Sequence, residues 1–225
     1  IIIGLVLIVL IGGIIAIRQG YLNSALEKLG LVKLKPIEIK PIEEFLASCV
    51  SHVSKEGIEL ISLQGGYANL PEDNIPNTPF TPLKSSLEII PGSDLKTSVW
   101  FRETGNGIQQ LNVPSKNDLE KELSNYINER FILCLSNLTS FAEKGFLIEA
   151  SGIPNSDVRI ANSEVRIAVD YPISVKKDGA EFNLEKYSAS VDSNLGELYN
   201  VAREIISKEN KETFLENKTL AALVA

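Results

Sequence analysis

Cys49 and His52 are three residues apart, close enough on a helix for a thiol and an imidazole to touch. Such a dyad can make a nucleophile, but it needs an exposed, reactive cysteine and a third group to orient the histidine. Cys49 instead falls on an apolar stripe, and His52 is the chain's only histidine. The pair therefore reads as a core residue beside a boundary residue. A structural zinc takes four thiol or imidazole ligands, which two cysteines and one histidine cannot supply. The carboxylates Glu43-Glu44 lie on a solvated helix face, without the shelter that tunes one of a pair as an acid. Gly65-Gly66-Tyr67 has neither the G-x-G-x-x-G spacing nor a Walker lysine, so it reads as a sharp bend leaving a strand. Trp100-Phe101, at a strand end, reads as core or interface. No G-x-S-x-G or H-E-x-x-H occurs. The expectation is a non-enzyme with no catalytic, cofactor-binding or metal-binding residues and no cofactor.

What remains is structural chemistry. Cys49 and Cys134 are the only cysteines, each on the apolar side of an expected helix. In an oxidising compartment such a pair closes one disulfide; in a reducing one both are small buried hydrophobes. A Cys49–Cys134 bond would close a loop of about 85 residues and add roughly 4 kcal/mol on the chain-entropy model. The sequons at Asn137 (Asn137-Leu138-Thr139) and Asn217 (Asn217-Lys218-Thr219) permit glycosylation on an outer face.

The segment that must carry all this is at the front. Residues 1–17 read IIIGLVLIVLIGGIIAI, only aliphatic side chains and glycine. A helix apolar on every face needs apolar surroundings on every face, either lipid or an assembly of like helices. The run is about 25 Å long as a helix, a little short of the ~30 Å hydrocarbon core. The chain contains no methionine, so it is expected to begin inside its anchor. Arg18-Gln19-Gly20-Tyr21-Leu22 follows without a small-residue cleavage pattern, which favours a retained anchor. Gly4, Gly12 and Gly13 would let neighbouring helices approach closely.

The formal net charge of −7 argues against nucleic acid as a partner class. Five basic residues (Arg18, Lys28, Lys33, Lys35, Lys40) face two acidic ones (Glu27, Glu38) just after the anchor. Taken alone, that balance would put this flank in the cytoplasm.

The rest of the chain reads as α+β, with antiparallel strands packed on amphipathic helices in an extracytoplasmic domain. The expected divisions are a transmembrane or assembly helix (1–20), a juxtamembrane spacer (21–41), a first α+β unit (42–114) and a second (115–225). Helical spacing over 42–56 aligns Ile42, Phe45, Leu46, Cys49, Val50 and Val53, and Gly57 marks its end. Residues 58–63 then read as a strand, 67–82 as a long loop rich in Pro and Asn, and 83–90 and 95–101 as further strands. Ser115-x-x-Asp118 resembles a capping box opening a helix that carries Leu119, Leu123, Tyr126, Ile127, Phe131 and Cys134. Strands at 146–150, 157–161 and 164–170 follow, then a further strand opened by Tyr171-Pro172 that runs into Lys176-Lys177 and another at 181–191, with turns at Asn162-Ser163 and Asp178-Gly179. A last helix from Leu195 is expected to pack Leu198, Tyr199, Ala202, Ile205 and Ile206 on this sheet. The chain then stops in the apolar run Leu220-Ala221-Ala222-Leu223-Val224-Ala225, which is expected either to dock or to continue.

The IIIG opening, the cysteine helix running into Ser62-Leu63-Gln64-Gly65-Gly66-Tyr67, and Val169-Asp170-Tyr171-Pro172-Ile173 together resemble a group of archaeal surface proteins with one N-terminal membrane helix. The opening helix is also similar to that of archaeal type IV pilin-like subunits. This resemblance implies an outward-facing domain on a single-pass cell-membrane anchor, and it implies no site residues.

Two functions are therefore expected. The first is a non-enzymatic, membrane-anchored cell-surface structural or assembly protein, such as a pilin-like filament subunit whose partners are lipid, its own copies or other envelope proteins. The second is a membrane-tethered extracytoplasmic binding module that recognises a protein or envelope partner through the 67–82 loop.

Overall fold

The computed structural model describes residues 39–70, 86–90, 92–93, 95–103 and 107–224. The anchor with Gly4, Gly12 and Gly13, the spacer up to residue 38, and most of the Pro/Asn-rich loop lie outside the described residues. Among the described residues no helix is long and apolar enough to cross a membrane.

Helix α1 runs Lys40–Leu63, with proline in its first turn. It is longer than its sequence suggests. Gly57 does not stop it, and the expected strand at 58–63 is its last turns. The reason is packing: a Cβ at Gly57 would fall 2.6 Å from Leu123 Cδ1 and 2.8 Å from Tyr126 Cδ1. Glycine is there to let two helices touch, not to end one. Ile58 and Ile61, read as alternating strand residues, extend the stripe of Ile42, Leu46, Cys49, Val50 and Val53 into the core.

Two small hairpins follow, β1 (Ser86–Glu88) with β2 (Lys96–Ser98) and β3 (Phe101–Glu103) with β4 (Gln109–Leu111). Helix α2 (Lys116–Leu135) opens on the expected capping box: Ser115 Oγ accepts from Asp118 N–H at 3.2 Å, and Ser115 N–H donates to Asp118 Oδ2 at 2.8 Å. These two bonds satisfy donors that a helix start leaves orphaned. The Ser115 hydroxyl also donates to Asp118 Oδ2 at 2.6 Å, and this bond first, then the one from Ser115 N–H, holds the Asp118 carboxyl below its usual pKa. A 3₁₀ turn (Ser136–Leu138) and the short α3 (Thr139–Ala142) lead into the main sheet.

That sheet is antiparallel throughout and centres on β7 (Glu164–Lys177). β5 (Leu147–Ala150) and β6 (Asn155–Ile160) lie end to end along one side of it, and β8 (Ala180–Asp192) pairs along the other. Along β7 every odd-numbered residue from Val165 to Val175 is buried, the alternation of a strand with one covered face. Pro172 is tolerated in this central strand because it sits at a bulge, where the pairing jumps from Asp170↔Lys186 to Ile173↔Leu184. The Asp178-Gly179 turn has φ of 50° and 82°, the left-handed pair that a two-residue hairpin of this twist requires.

Helices α1 and α2 cover the inner face of the sheet, α1 over β8 and α2 over β6. Phe131 anchors the junction, fully buried with its ring 6.0 Å from Tyr171 and 5.8 Å from Tyr187. Burying one such side chain contributes about 1.5–3 kcal/mol. One continuous core joins residues from Ile42 to Tyr199, and the chain from Ile39 to its end is one compact unit. The division into units 42–114 and 115–225 is therefore corrected. With 58–63 helical, the described strands of the first half form only two small hairpins, and α1 covers the sheet of the second half instead.

The last helix is also corrected. Helix α4 (Leu195–Glu212) buries only Leu195, Gly196 and Tyr199, and α5 (Phe214–Val224) buries nothing. Leu198 is 63% exposed, Ile205 37% and Leu220 60%. Because α1 fills the place beside α2, the apolar stripe of α4 has no sheet left to lie on.

Candidate functional site

The loop leaving α1 is tied down at every step. Gly65 and Gly66 have φ of 69° and 98°, a backbone region that costs other residues strain. A Cβ on Gly66 would also fall 2.8 Å from Pro114 Cγ. Trp100 Nε1 donates to Gly65 O at 2.8 Å, and Ser98 N–H donates to Gln64 O at 3.1 Å. The Gln64 amide, oriented to satisfy its neighbours, donates to the carbonyls of Tyr67 and Ala68 at 3.1 Å each. From α2, the Glu122 carboxylate accepts from Ala68 N–H at 3.1 Å and Asn69 N–H at 3.4 Å. Burial first, then the nearby carboxylates of Asp118 and Glu122, push the Tyr67 hydroxyl above its ordinary pKa. Tyr67 therefore stays a neutral phenol at physiological pH.

Tyr199, from α4, closes the other side. Its hydroxyl donates to Pro114 O at 2.8 Å, and its ring meets Trp100 edge-on at 6.4 Å. Between these groups lies an open apolar cleft of about 150 Å³, walled by Ile61, Gly66, Trp100, Leu119, Leu198 and Ala202. Among the described residues, those lining it carry no carboxylate, imidazole, thiol or amine. Ser62 Oγ, on its rim, already donates to Ile58 O at 2.6 Å. The cleft can hold an apolar group of a few carbons.

Gly65-Gly66 and Trp100 meet in this cleft. Cys49 and His52 do not cooperate: His52 is exposed and faces Glu56 at 3.5 Å, while Cys49 is buried against Cys134. The expected disulfide is not formed in this structure, where both cysteines are thiols. They are nevertheless neighbours across α1 and α2. Burial first, then the hydrogen bond and charge of Cys134, push the Cys49 thiol up to about 12. Glu43 and Glu44 are exposed, as expected of a solvated face. Asn217 is exposed on α5, its Nδ2 donating to Glu212 O at 2.8 Å. The Asn137 side chain lies outside what is described.

A second, shallow depression of about 410 Å³ crosses the outer face of the sheet around Ala168. Its two guanidinium groups are engaged, Arg159 with Asp157 at 3.2 Å and Glu120 at 3.6 Å, and Arg166 with Glu164. The groups on this face therefore neutralise one another. Among the described residues no cluster of three or more His, Cys, Asp or Glu could hold a metal ion.

The contribution of α4 to the cleft has no local signal in the sequence. Tyr199 and Pro114 are 85 residues apart, and no local pattern links them. A spacing that places Tyr199 on an apolar stripe is all that the sequence offers. No protein-family model, curated protein or solved structure matches the chain.

Proposed function

We propose that the protein is a non-enzymatic, membrane-anchored, extracytoplasmic structural protein that builds a cell-surface assembly, in the manner of a pilin-like filament subunit. The observation that carries this reading is the uninterrupted apolar run of residues 1–17 with its three glycines. A segment apolar all round gains little from leaving lipid for another such helix, so its association depends on close approach at small residues. The domain is consistent with an assembled life. Leu198, Val201, Leu215, Leu220 and Leu223 stand uncovered along α4 and α5, more apolar surface than a solitary helical arm leaves in water without reason. Negative-stain microscopy of sheared surface material from cells making the full chain tests the proposal. Filaments or regular arrays are the expected result, and uniformly monomeric particles refute it.

A tethered binding module is the second reading, and the cleft favours it. Trp100 is the only tryptophan in the chain and forms part of the wall, so its fluorescence reports occupancy directly. Saturable quenching or shift on titration with toluene, abolished by Ala202→Phe, would favour this reading. A linear, unsaturable response would remove its support.

A further inference from the structure

We propose that β8 is a self-association edge, on which a second copy of this chain pairs antiparallel about a two-fold axis passing between Glu185 and Lys186. This goes beyond the anchor reading, because it needs only the sheet.

The two edges of the sheet are built differently. On the β5/β6 side the edge is broken at 151–154 and capped by α2. There Ile160 N–H donates to Glu120 Oε1 at 2.9 Å, and Ser156 O accepts from Ser124 Oγ at 2.7 Å. Strand β8 runs thirteen residues without proline or interruption. Among the described residues, the one backbone group of β8 bonded outside the sheet ladder is Leu184 O, which accepts from the Tyr187 hydroxyl at 3.0 Å. A long open edge is a template for another strand unless something blocks it.

The register of β8 decides which strand fits. Val169 pairs with Tyr187 and Ile173 with Leu184, all four buried. Four steps along β7 thus match three along β8, and the inward face of β8 changes parity at Glu185-Lys186. Residues 180, 182 and 184 face inward before the change, and 187, 189 and 191 after it. In a regular strand an antiparallel self-pair places its axis on a residue, with like opposite like. Here the faces of two copies agree along the whole strand when the axis lies at the parity change. Leu184 then opposes the partner's Tyr187, and Phe182 opposes the partner's Ala189, on the inner face. Asn183 opposes the partner's Ser188 on the outer face. Glu185 opposes the partner's Lys186 on both sides of the axis. The adjacent opposite charges that discourage an arbitrary strand become complementary for this one.

The helix above the edge leaves room. Cys49 of α1 faces Cys134 of α2, and positions 47 and 51 lie about 200° from it around the helix. The side of α1 opposite Cys49 carries Ala47 and Ser51 along its middle, with Lys40 and Ile58 toward its two ends. Small residues there let two copies of α1 come close.

The test uses the full chain in detergent micelles carrying Asn183→Cys and Ser188→Cys. These positions are about 17 Å apart within one strand, too far to bond to each other, but each faces the other across the proposed axis. Mild oxidation is expected to yield a covalent dimer on a non-reducing gel that the parent chain, with Cys49 and Cys134 alone, does not give. Adding Glu185→Lys, or Lys186→Glu, should lower the cross-linked fraction at least tenfold, and both together should restore it. Gly12→Leu/Gly13→Leu should leave the band unchanged, so failure of the anchor reading and failure of this one are distinguishable. Absence of the band, indifference to the single reversals, no rescue by the double reversal, or loss of the band in the glycine variant would each overturn the proposal.

Discussion

Gly196 rests on the main chain of Ala161: a Cβ at position 196 would fall 2.8 Å from Ala161 C and closer still to its carbonyl oxygen. This contact seats the first turn of α4 on the turn between β6 and β7. Backbone at a tight turn cannot step aside as a flexible side chain can. Gly196→Ala is therefore expected to destabilise the domain by about 1–3 kcal/mol through overpacking, despite the roughly 1 kcal/mol by which alanine favours a helix. Denaturant unfolding measures it, and an unchanged midpoint would refute the contact.

Trp100→Phe keeps the ring against Tyr199 but removes the donor to Gly65 O. Loss of that hydrogen bond should cost about 1 kcal/mol, more if the carbonyl is left dry. Trp100→Ala should cost distinctly more, because it also empties one wall of the cleft. Equal midpoints for the two variants would show that packing around the ring contributes nothing.

The Cys49 thiol gives a pH dependence with a definite sign. Its pKa rises from an ordinary 9.0 to about 12 on folding, so the folded chain holds the proton more tightly than the unfolded one. The associated stability is complete below pH 9 and is lost as pH climbs toward 12. Reduced protein should show a falling thermal midpoint across that window, and Cys49→Ala should flatten the fall relative to the parent. A profile identical in both would count against the buried thiol.

Cys49 and Cys134 are neighbours as thiols, so oxidation should join them without moving either helix far. A disulfide oxidant such as oxidised glutathione, itself reduced to two thiols, is expected to close the bond and raise stability by up to roughly 4 kcal/mol. Mass spectrometry of protein alkylated before reduction checks this. Two alkylated cysteines after exhaustive oxidation would rule the bond out.

Gly12→Leu/Gly13→Leu tests the anchor. Leucine preserves hydrophobicity and hence insertion, but it blocks close helix approach. The variant should reach the membrane and lose its filaments or arrays, keeping no more than the β8-paired dimer. An unchanged size distribution on native electrophoresis would turn the reading toward the tethered module.

Much of the fold is legible from particular residues. Ser115 and Asp118 announce the start of α2, Asp178-Gly179 announces the hairpin, and the odd-numbered apolar run from Val165 to Val175 announces a strand with one covered face. Each signal lies within a few residues of the structure it makes. The candidate site was only half legible. Gly65-Gly66 and Trp100 stood out by type, but the wall supplied by Leu198, Tyr199 and Ala202 arrives from far along the chain.

The sequence by itself determined the local elements whose cause is local: the caps, the turns, the alternation of the strands, and the uniformly apolar character of residues 1–17. Tertiary structure alone decided what Gly57 does, since a glycine stops a lone helix but permits contact when Leu123 lies against it. It alone decided which helix covers the sheet. The stripes of α1 and α4 are both amphipathic, and periodicity cannot rank them. Only one place was open beside α2, and α1 filled it because its apolar stripe is longer and reaches both the sheet and Leu123. That choice left α4 with its apolar side uncovered, brought Tyr199 to Trp100, and made the cleft.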